Sequence, residues 1–248
     1  MQTKAAIIQY QSLKGEKQAN LARLGSLLEQ AAEEGAQLVV MPEMCTTGYV
    51  FFSPLEIRPL AEDAEGPSFE FFAQLCRRLQ LFLVYGFPQS EGRRLFNSQN
   101  LIGPKGQLLA TYQKRHLFEA DRPWATPGPS PFVSCPTTLG RIGLGICMDF
   151  NFDDLLRFHQ EQETQILCLS MHWVEEGQDV CTYWRWRLRR FDGITLIANA
   201  FGADRGTPFC GRSAAYWGQA LMAALEPSGE GVLLVDLPKS AAADSPLP

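Results

Sequence analysis

Short apolar runs alternate along this chain with stretches of helical periodicity, and that alternation narrows the possible folds more than any other feature. Lys4 to Gln9 reads as a buried strand. From Lys17 to Glu34, Leu21, Leu24, Leu27, Leu28 and Ala31 recur at helical spacing, and Gly35 ends the helix. Gln37 to Met41 is a second strand; it stops at Pro42 and delivers Glu43 just beyond its end. The cycle repeats with a helix from Phe69 to Leu79 and a strand from Leu81 to Phe87. Asn97 to Ile102 and Gln107 to Tyr112 form a hairpin turned by Gly-Pro-Lys-Gly. After an irregular Pro-rich stretch from Arg122 to Pro136, the pattern predicts a strand over Arg141 to Ile146, a helix over Phe152 to Gln162 and a strand over Gln165 to Met171. A helix over about Asp179 to Asp192 and a strand over Ile194 to Ala200 follow. Phe201-Gly202 reads as a plain turn. Ser213 to Ala224 and Gly231 to Leu237 read as a closing hairpin. The expectation is an α/β layered fold with a mixed sheet.

A chain of 248 residues, 46% hydrophobic and 20% charged, fits one globular domain, placed at 1–239. The tail 240–248 is small and polar, as disordered segments are. The net charge is −5, which argues against a nucleic-acid partner. Apolar runs such as Leu81 to Tyr85 are far shorter than the roughly 20 residues of a membrane span. The four apolar residues directly before Gln9 are too few for a secretory signal. A soluble, cytoplasmic protein is expected. The seven cysteines, at 45, 76, 135, 147, 168, 181 and 210, show no disulfide framework and no C-x-x-C. With His only at 116, 159 and 172, no zinc pattern can be written, so no metal is expected.

In α/β folds, ligands sit outside the carboxyl ends of strands. Three such places carry reactive side chains here: Glu43 in Pro42-Glu43-Met44, Lys114 in the run from Tyr112 to Phe118, and Cys147 in Gly145-Ile146-Cys147-Met148-Asp149. Alone, each has a bland reading: a solvated carboxylate, a surface lysine, a core thiol. Together they are the parts of a cysteine-based acyl transfer, which needs a base, a fixed cation and a thiol. A thiol attacks as the thiolate, so a nearby base and a positive field favour it, and a carboxyl group closed into a dry cavity is raised toward neutral pKa. A serine hydrolase is a weaker reading, because no G-x-S-x-G is present and Gly211-Arg212-Ser213-Ala214-Ala215 departs from it.

These residues, with Thr47-Gly48-Tyr49, Asn97-Ser98 and Tyr112-x-Lys114-x-His116-Leu117-Phe118, resemble the nitrilase superfamily of carbon–nitrogen hydrolases, from about residue 4 to 237. The resemblance implies a four-layer αββα sandwich, a Glu43-Lys114-Cys147 triad, no cofactor and a homodimer. It also implies that Lys114 and the Met148 backbone N–H hold the oxyanion. Either Glu119 or Asp121 stands where many relatives carry a second glutamate. Asp121 is preferred, because K-x-x-L-F-x-x-D-x-x-W resembles the protein N-terminal amidase branch, as do Cys147-Met148-Asp149-Phe150-Asn151 and Glu43-Met44-x-x-Thr47-Gly48-Tyr49-x-Phe51. A family pattern R-A-x-E-N is replaced by Arg189-Arg190-Phe191-Asp192-Gly193. Tyr49, His172 and Trp173 are expected at the substrate, and the run Tyr183 to Arg187 reads as a helix of partly buried rings with snorkelling guanidiniums.

The expected function is hydrolysis of a linear amide through a thioester, on a terminal carboxamide such as that of an N-terminal Asn or Gln. The runner-up is an ω-amidase or an N-carbamoyl amine hydrolase acting on a small metabolite. From other classes come an inactive binding protein that kept the sandwich and a redox thiol protein. The intact Glu43, Lys114 and Cys147 speak against the first, and the lack of a neighbouring resolving cysteine speaks against the second.

Overall fold

The structure, a computed structural model, describes residues 3–238; the expected tail at 240–248 lies outside them. Among the described residues the chain runs through β1 (Thr3–Gln9), α1 (Lys17–Glu33), β2 (Ala36–Val40), α2 (Pro54–Ile57) and α3 (Pro67–Leu79). It continues through β3 (Phe82–Glu91), β4 (Arg94–Ile102), β5 (Leu108–Gln113), β6 (Val133–Thr137) and β7 (Gly140–Ile146). A 3-10 turn at Cys147–Asn151 leads to α4 (Asp153–Glu161), β8 (Ile166–Met171), α5 (Val180–Arg187) and β9 (Ile194–Asn199). The chain closes with β10 (Phe201–Asp204), β11 (Thr207–Cys210), β12 (Ala214–Trp217), β13 (Ala220–Ala224) and β14 (Gly231–Leu237).

Two six-stranded sheets form, ordered β14-β1-β2-β3-β4-β5 and β13-β12-β9-β8-β7-β6. Each has a parallel trio, β1-β2-β3 or β7-β8-β9, flanked by antiparallel neighbours. Strand alternation explains the layering. Ile7, Leu38, Val40 and Val84 point inward and share a core with Leu144, Ile146 and Leu196 of the second sheet. Their neighbours Ile8, Val39, Met41 and Leu83 point outward, under Leu24 and Leu28 of α1 and Phe72 and Cys76 of α3. Leu155 of α4 and Trp184 of α5 join the core formed with the second sheet. Helix, sheet, sheet, helix is the αββα sandwich. Gly35, at φ 90°, lets α1 stop and the chain turn into β2.

Several elements differ from the sequence expectation, each for a local reason. β6 lies within the stretch read as irregular: it is an edge strand, where Pro136 is tolerated. Phe201-Gly202 is no turn but opens the β10–β11 ribbon, a separate two-stranded sheet. The helix expected to Asp192 leaves α geometry after Arg187 and tightens into a 3-10 turn at Leu188–Arg190. Ser213 to Ala224 folds into a hairpin of its own, β12–β13, while β14 crosses to the first sheet and pairs with β1. The closing hairpin therefore does not exist.

Candidate active site

The three strand ends singled out by sequence converge at one end of the sandwich. Glu43 follows β2, at a turn in which Met44 takes φ 48° and its carbonyl accepts from the Thr47 and Gly48 N–H groups at 3.1 Å each. β3 passes directly beneath. A Cβ on Gly86 would stand 2.6 Å from Met44 N and 2.7 Å from Glu43 Cα, so only glycine permits this approach. Lys114 follows β5, with its N–H bonded to the Asn97 carbonyl at 2.8 Å. Cys147 leaves β7 at φ 38°, a strained conformation for a non-glycine residue of the kind that concentrates at functional sites.

At the centre stands Lys114, fully buried, whose ammonium donates to Glu43 Oε1 at 2.7 Å and to Asp121 Oδ2 at 2.6 Å. Both carboxylates are fully buried too. Asn97 bridges them, its Nδ2 donating to Glu43 Oε1 at 2.7 Å and to Asp121 Oδ1 at 2.9 Å. The His172 N–H donates to Glu43 Oε2 at 2.8 Å, and the Phe118 N–H to Asp121 Oδ2 at 2.9 Å. Of the two acids named from sequence, Asp121 bonds the lysine, whereas Glu119 is exposed.

Burial pushes the Glu43 carboxyl above its ordinary value, and the Asp121 charge adds to this; the Lys114 ammonium opposes it without prevailing. Burial alone would lower Lys114, but the Asp121 and Glu43 charges together raise it, so the ammonium stays charged. The Cys147 thiol is held well above its usual value by burial and by the Glu43 charge, against the pull of Lys114. At rest the sulfur carries its proton, and a base within its electrostatic reach is available to take it. Met148 is the second residue of the 3-10 turn, so its N–H comes before the first donor that bonds within that turn and is free of a carbonyl partner there.

A cavity of about 360 Å³ opens in front of Cys147, its walls formed by Met148, Asn151, His172, Trp173 and Tyr183 among others, with Glu175 and Glu176 at the exposed rim. Trp173 is fixed by its N–H bond to Asn199 Oδ1 at 2.9 Å, and His172 stacks on Tyr49 with ring centroids 4.9 Å apart. Burial lowers the His172 imidazole to about 3, so it is neutral at physiological pH. Tyr49, expected at the substrate, is instead fully buried behind the cavity, its hydroxyl 3.4 Å from Asp121 Oδ2. The Trp/Arg helix is mixed: Trp184 is fully buried, Trp186 is half exposed under the Arg189 guanidinium at 4.0 Å, and Arg187 is buried against the Phe150 carbonyl.

Sequence reasoning missed three residues that shape the site. Asn97 stood in a quoted motif with no role. Asp149 lay inside the cysteine motif, yet only the structure reveals that it accepts from the Tyr112 hydroxyl at 2.8 Å and from the His116 and Ile146 N–H groups at 2.9 and 3.2 Å. Asp204 on β10 accepts from the Tyr49 and Val50 N–H groups at 2.8 and 2.9 Å, and carried no local signal. Of the other cysteines Cys210 lies in the cavity wall; burial pushes Cys45 and Cys76 up to about 12, and all seven are free thiols. Among the described residues no group of His, Cys, Asp and Glu is arranged to hold a metal ion.

Residues 4–245 match the carbon–nitrogen hydrolase family. The chain is 32% identical to the protein N-terminal amidase of Schizosaccharomyces pombe, over 85% of this chain and 89% of that protein. It is 33% identical to the omega-amidase NIT2 of Homo sapiens, over 65% of this chain and 60% of that one. Among solved structures it resembles a cysteine-to-alanine mutant of the Nesterenkonia AN1 amidase from the nitrilase superfamily, with a TM-score of 0.87 and 24% identity over 96% of this chain and 91% of that one.

Proposed function

The chain belongs to the carbon–nitrogen hydrolase family, and on that premise we propose that it hydrolyses a terminal carboxamide, of the kind borne by an N-terminal Asn or Gln, through a thioester on Cys147. The observation that carries this reading is the ammonium of Lys114 clamped between Glu43 and Asp121 beside a protonated thiol that faces a cavity.

Glu43 takes the thiol proton as Cys147 Sγ bonds to the amide carbon, because a buried thiolate beside two carboxylates is too unfavourable to accumulate beforehand. The carbonyl oxygen becomes an oxyanion, held by Lys114 and the Met148 N–H; one such donor contributes roughly a 10²–10³-fold rate effect. Asp121 and Asn97 orient the lysine and the glutamate, and Asp121 keeps the ammonium charged while Glu43 changes protonation. The proton on Glu43 passes to the leaving nitrogen, and ammonia departs. Water then gives a proton to the same carboxylate and attacks the thioester, releasing the acid and restoring the thiol.

The S. pombe relative supports an N-terminal Asn or Gln as the source of the amide, and a rim open to solvent leaves room for a peptide to continue outward. The human relative supports a second reading, an ω-amide on a small metabolite. We also propose that the chain works as a homodimer.

The test is ammonia release from Asn- and Gln-initiated peptides and from small free amides, with mass spectrometry of the protein during turnover. An acyl adduct on Cys147, and loss of all release in Cys147→Ala, are expected. An adduct on Cys45 or Cys168, or full activity in Cys147→Ala, overturns the assignment. Release from small amides but from no peptide selects the second reading.

A further inference from the structure

The cavity in front of Cys147 has a charge pattern that the chemistry above does not use. Of the thirteen residues that line it, Glu175 and Glu176 are the acidic ones, and no Lys or Arg is among them. Cations on the surrounding segments are engaged elsewhere: Lys14 pairs with Asp204 at 3.2 Å, Arg187 with Asp153 at 2.9 Å and Arg205 with Glu56, Arg189 lies over the Trp186 ring, and the Arg212 charge acts on Asp179. Lys114, behind the thiol, is matched by two carboxylates and is set toward the reacting oxygen rather than toward a charged group at the rim.

Two further observations mark this as a polar binding wall rather than an acidic patch of surface. His172 is 3% exposed, contributes to the lining, and has its Nδ1 buried without a hydrogen-bond partner. A buried polar atom left in that state calls for a partner, and a ligand in the cavity can supply one. Glu175 also acts inside the cavity. Burial pushes the Cys210 thiol in the same wall up to about 12, and the Glu175 charge adds to that push against the Asn199 amide.

We infer that Glu175 and Glu176 make the cavity selective for carboxamides that carry a positive charge, such as an α-ammonium group, and exclude those that carry a carboxylate. The inference rests on the amide-hydrolase reading and deepens it by naming the substrate's charge class. A carboxylate at the rim of this cavity meets two like charges and no cation in the wall, whereas an ammonium meets two carboxylates. It also separates the two substrate readings, since an ω-amide of a carboxylic acid falls in the excluded class.

Three amides of similar length test this: 4-aminobutanamide, butanamide and succinamate, the cationic, neutral and anionic members. For each, ammonia release gives kcat/KM, and titration calorimetry on the Cys147→Ala protein gives Kd. Wild type should favour the cation over the anion by at least about tenfold, as expected for two exposed charges near a ligand, with the preference shrinking as salt rises. In the Glu175→Gln, Glu176→Gln double variant that ratio should fall toward one, and because it is a ratio, any loss common to all three amides cancels. A ratio unchanged by the double substitution, or a wild-type preference for succinamate, overturns the inference while leaving amide hydrolysis intact. Failure to release ammonia from any amide overturns the hydrolase reading, and the calorimetric ratio still decides the charge question: equal affinity for cation and anion, or no binding, refutes selection at the rim.

Discussion

The Tyr112 hydroxyl donates to Asp149 Oδ2 over 2.8 Å, joining the strand that leads to Lys114 to the turn that carries Cys147. The two segments belong to different sheets, so this bond and the His116 N–H bond to Asp149 Oδ1 set the cation against the thiol. Tyr112→Phe removes one of the bonds and leaves a buried carboxylate oxygen with only the Ile146 N–H. A loss of about 1–2 kcal/mol in denaturant stability is expected. A fall in kcat larger than the change in KM is expected as well, since what shifts is the spacing of reacting groups rather than the pocket wall.

Lys114→Met leaves Glu43 and Asp121 facing each other in the interior with no countercharge. Breaking a buried ion pair from one side costs about 3–5 kcal/mol, and urea unfolding should register a loss of that order together with complete loss of ammonia release. Adding Asp121→Asn to Lys114→Met removes one stranded charge, so the double variant should be more stable than Lys114→Met alone. A double variant no more stable than the sum of the two single losses would show that the three groups are not coupled.

His159 and His172 are buried and their imidazoles are lowered to about 4 and about 3, burial being the main cause in both. The unfolded chain takes up these protons near the ordinary histidine value of 6.5, while the folded chain does not. Their contribution is therefore complete above that value and is lost as pH falls from 6.5 toward 4 and 3. Glu43 acts in the opposite sense: its raised carboxyl keeps a proton in the folded state above 4.5, so its contribution shrinks as pH rises from there. Stability measured between about pH 5 and pH 6 should thus climb with pH, and His159→Gln should flatten the climb by one proton, about 1.4 kcal/mol per pH unit. An unaltered slope would place the His159 proton uptake elsewhere.

Gly86→Ala puts a methyl group against the backbone of Pro42, Glu43 and Met44, where nothing flexible can yield. Overpacking of this kind costs about 1–3 kcal/mol. Here it should also move Glu43 off Lys114, so kcat is expected to drop sharply while iodoacetamide still alkylates Cys147. Unchanged kcat would mean that the Glu43 turn can shift without losing its bonds.

The strands that end in Glu43 and Cys147 were legible because each is a compact apolar run stopped by a sharp break, Pro42 in one case and the small-residue exit at Gly145 in the other. What was not legible depended on partners distant in sequence. Asp204 bonds Tyr49 across 155 positions, and β14 pairs with β1 from the far end of the chain, a register that no local periodicity encodes. β10 looked like a turn because Gly202 and the partly exposed Phe201 lack the apolar alternation of an interior strand. Tyr49 is a related case. A tyrosine beside a functional turn reads the same whether its ring faces a ligand or backs the acid, and only the stacking on His172 decides.

The acid and the ammonium hang from the first sheet, while the sulfur hangs from the second. A growing chain on the ribosome, or one clipped between its halves, therefore holds either a proton acceptor with nothing to activate or a thiol with nothing to activate it. On the proposed mechanism, reactivity belongs to the closed sandwich alone, so a partly folded copy is spared from attacking the amide groups of its neighbours.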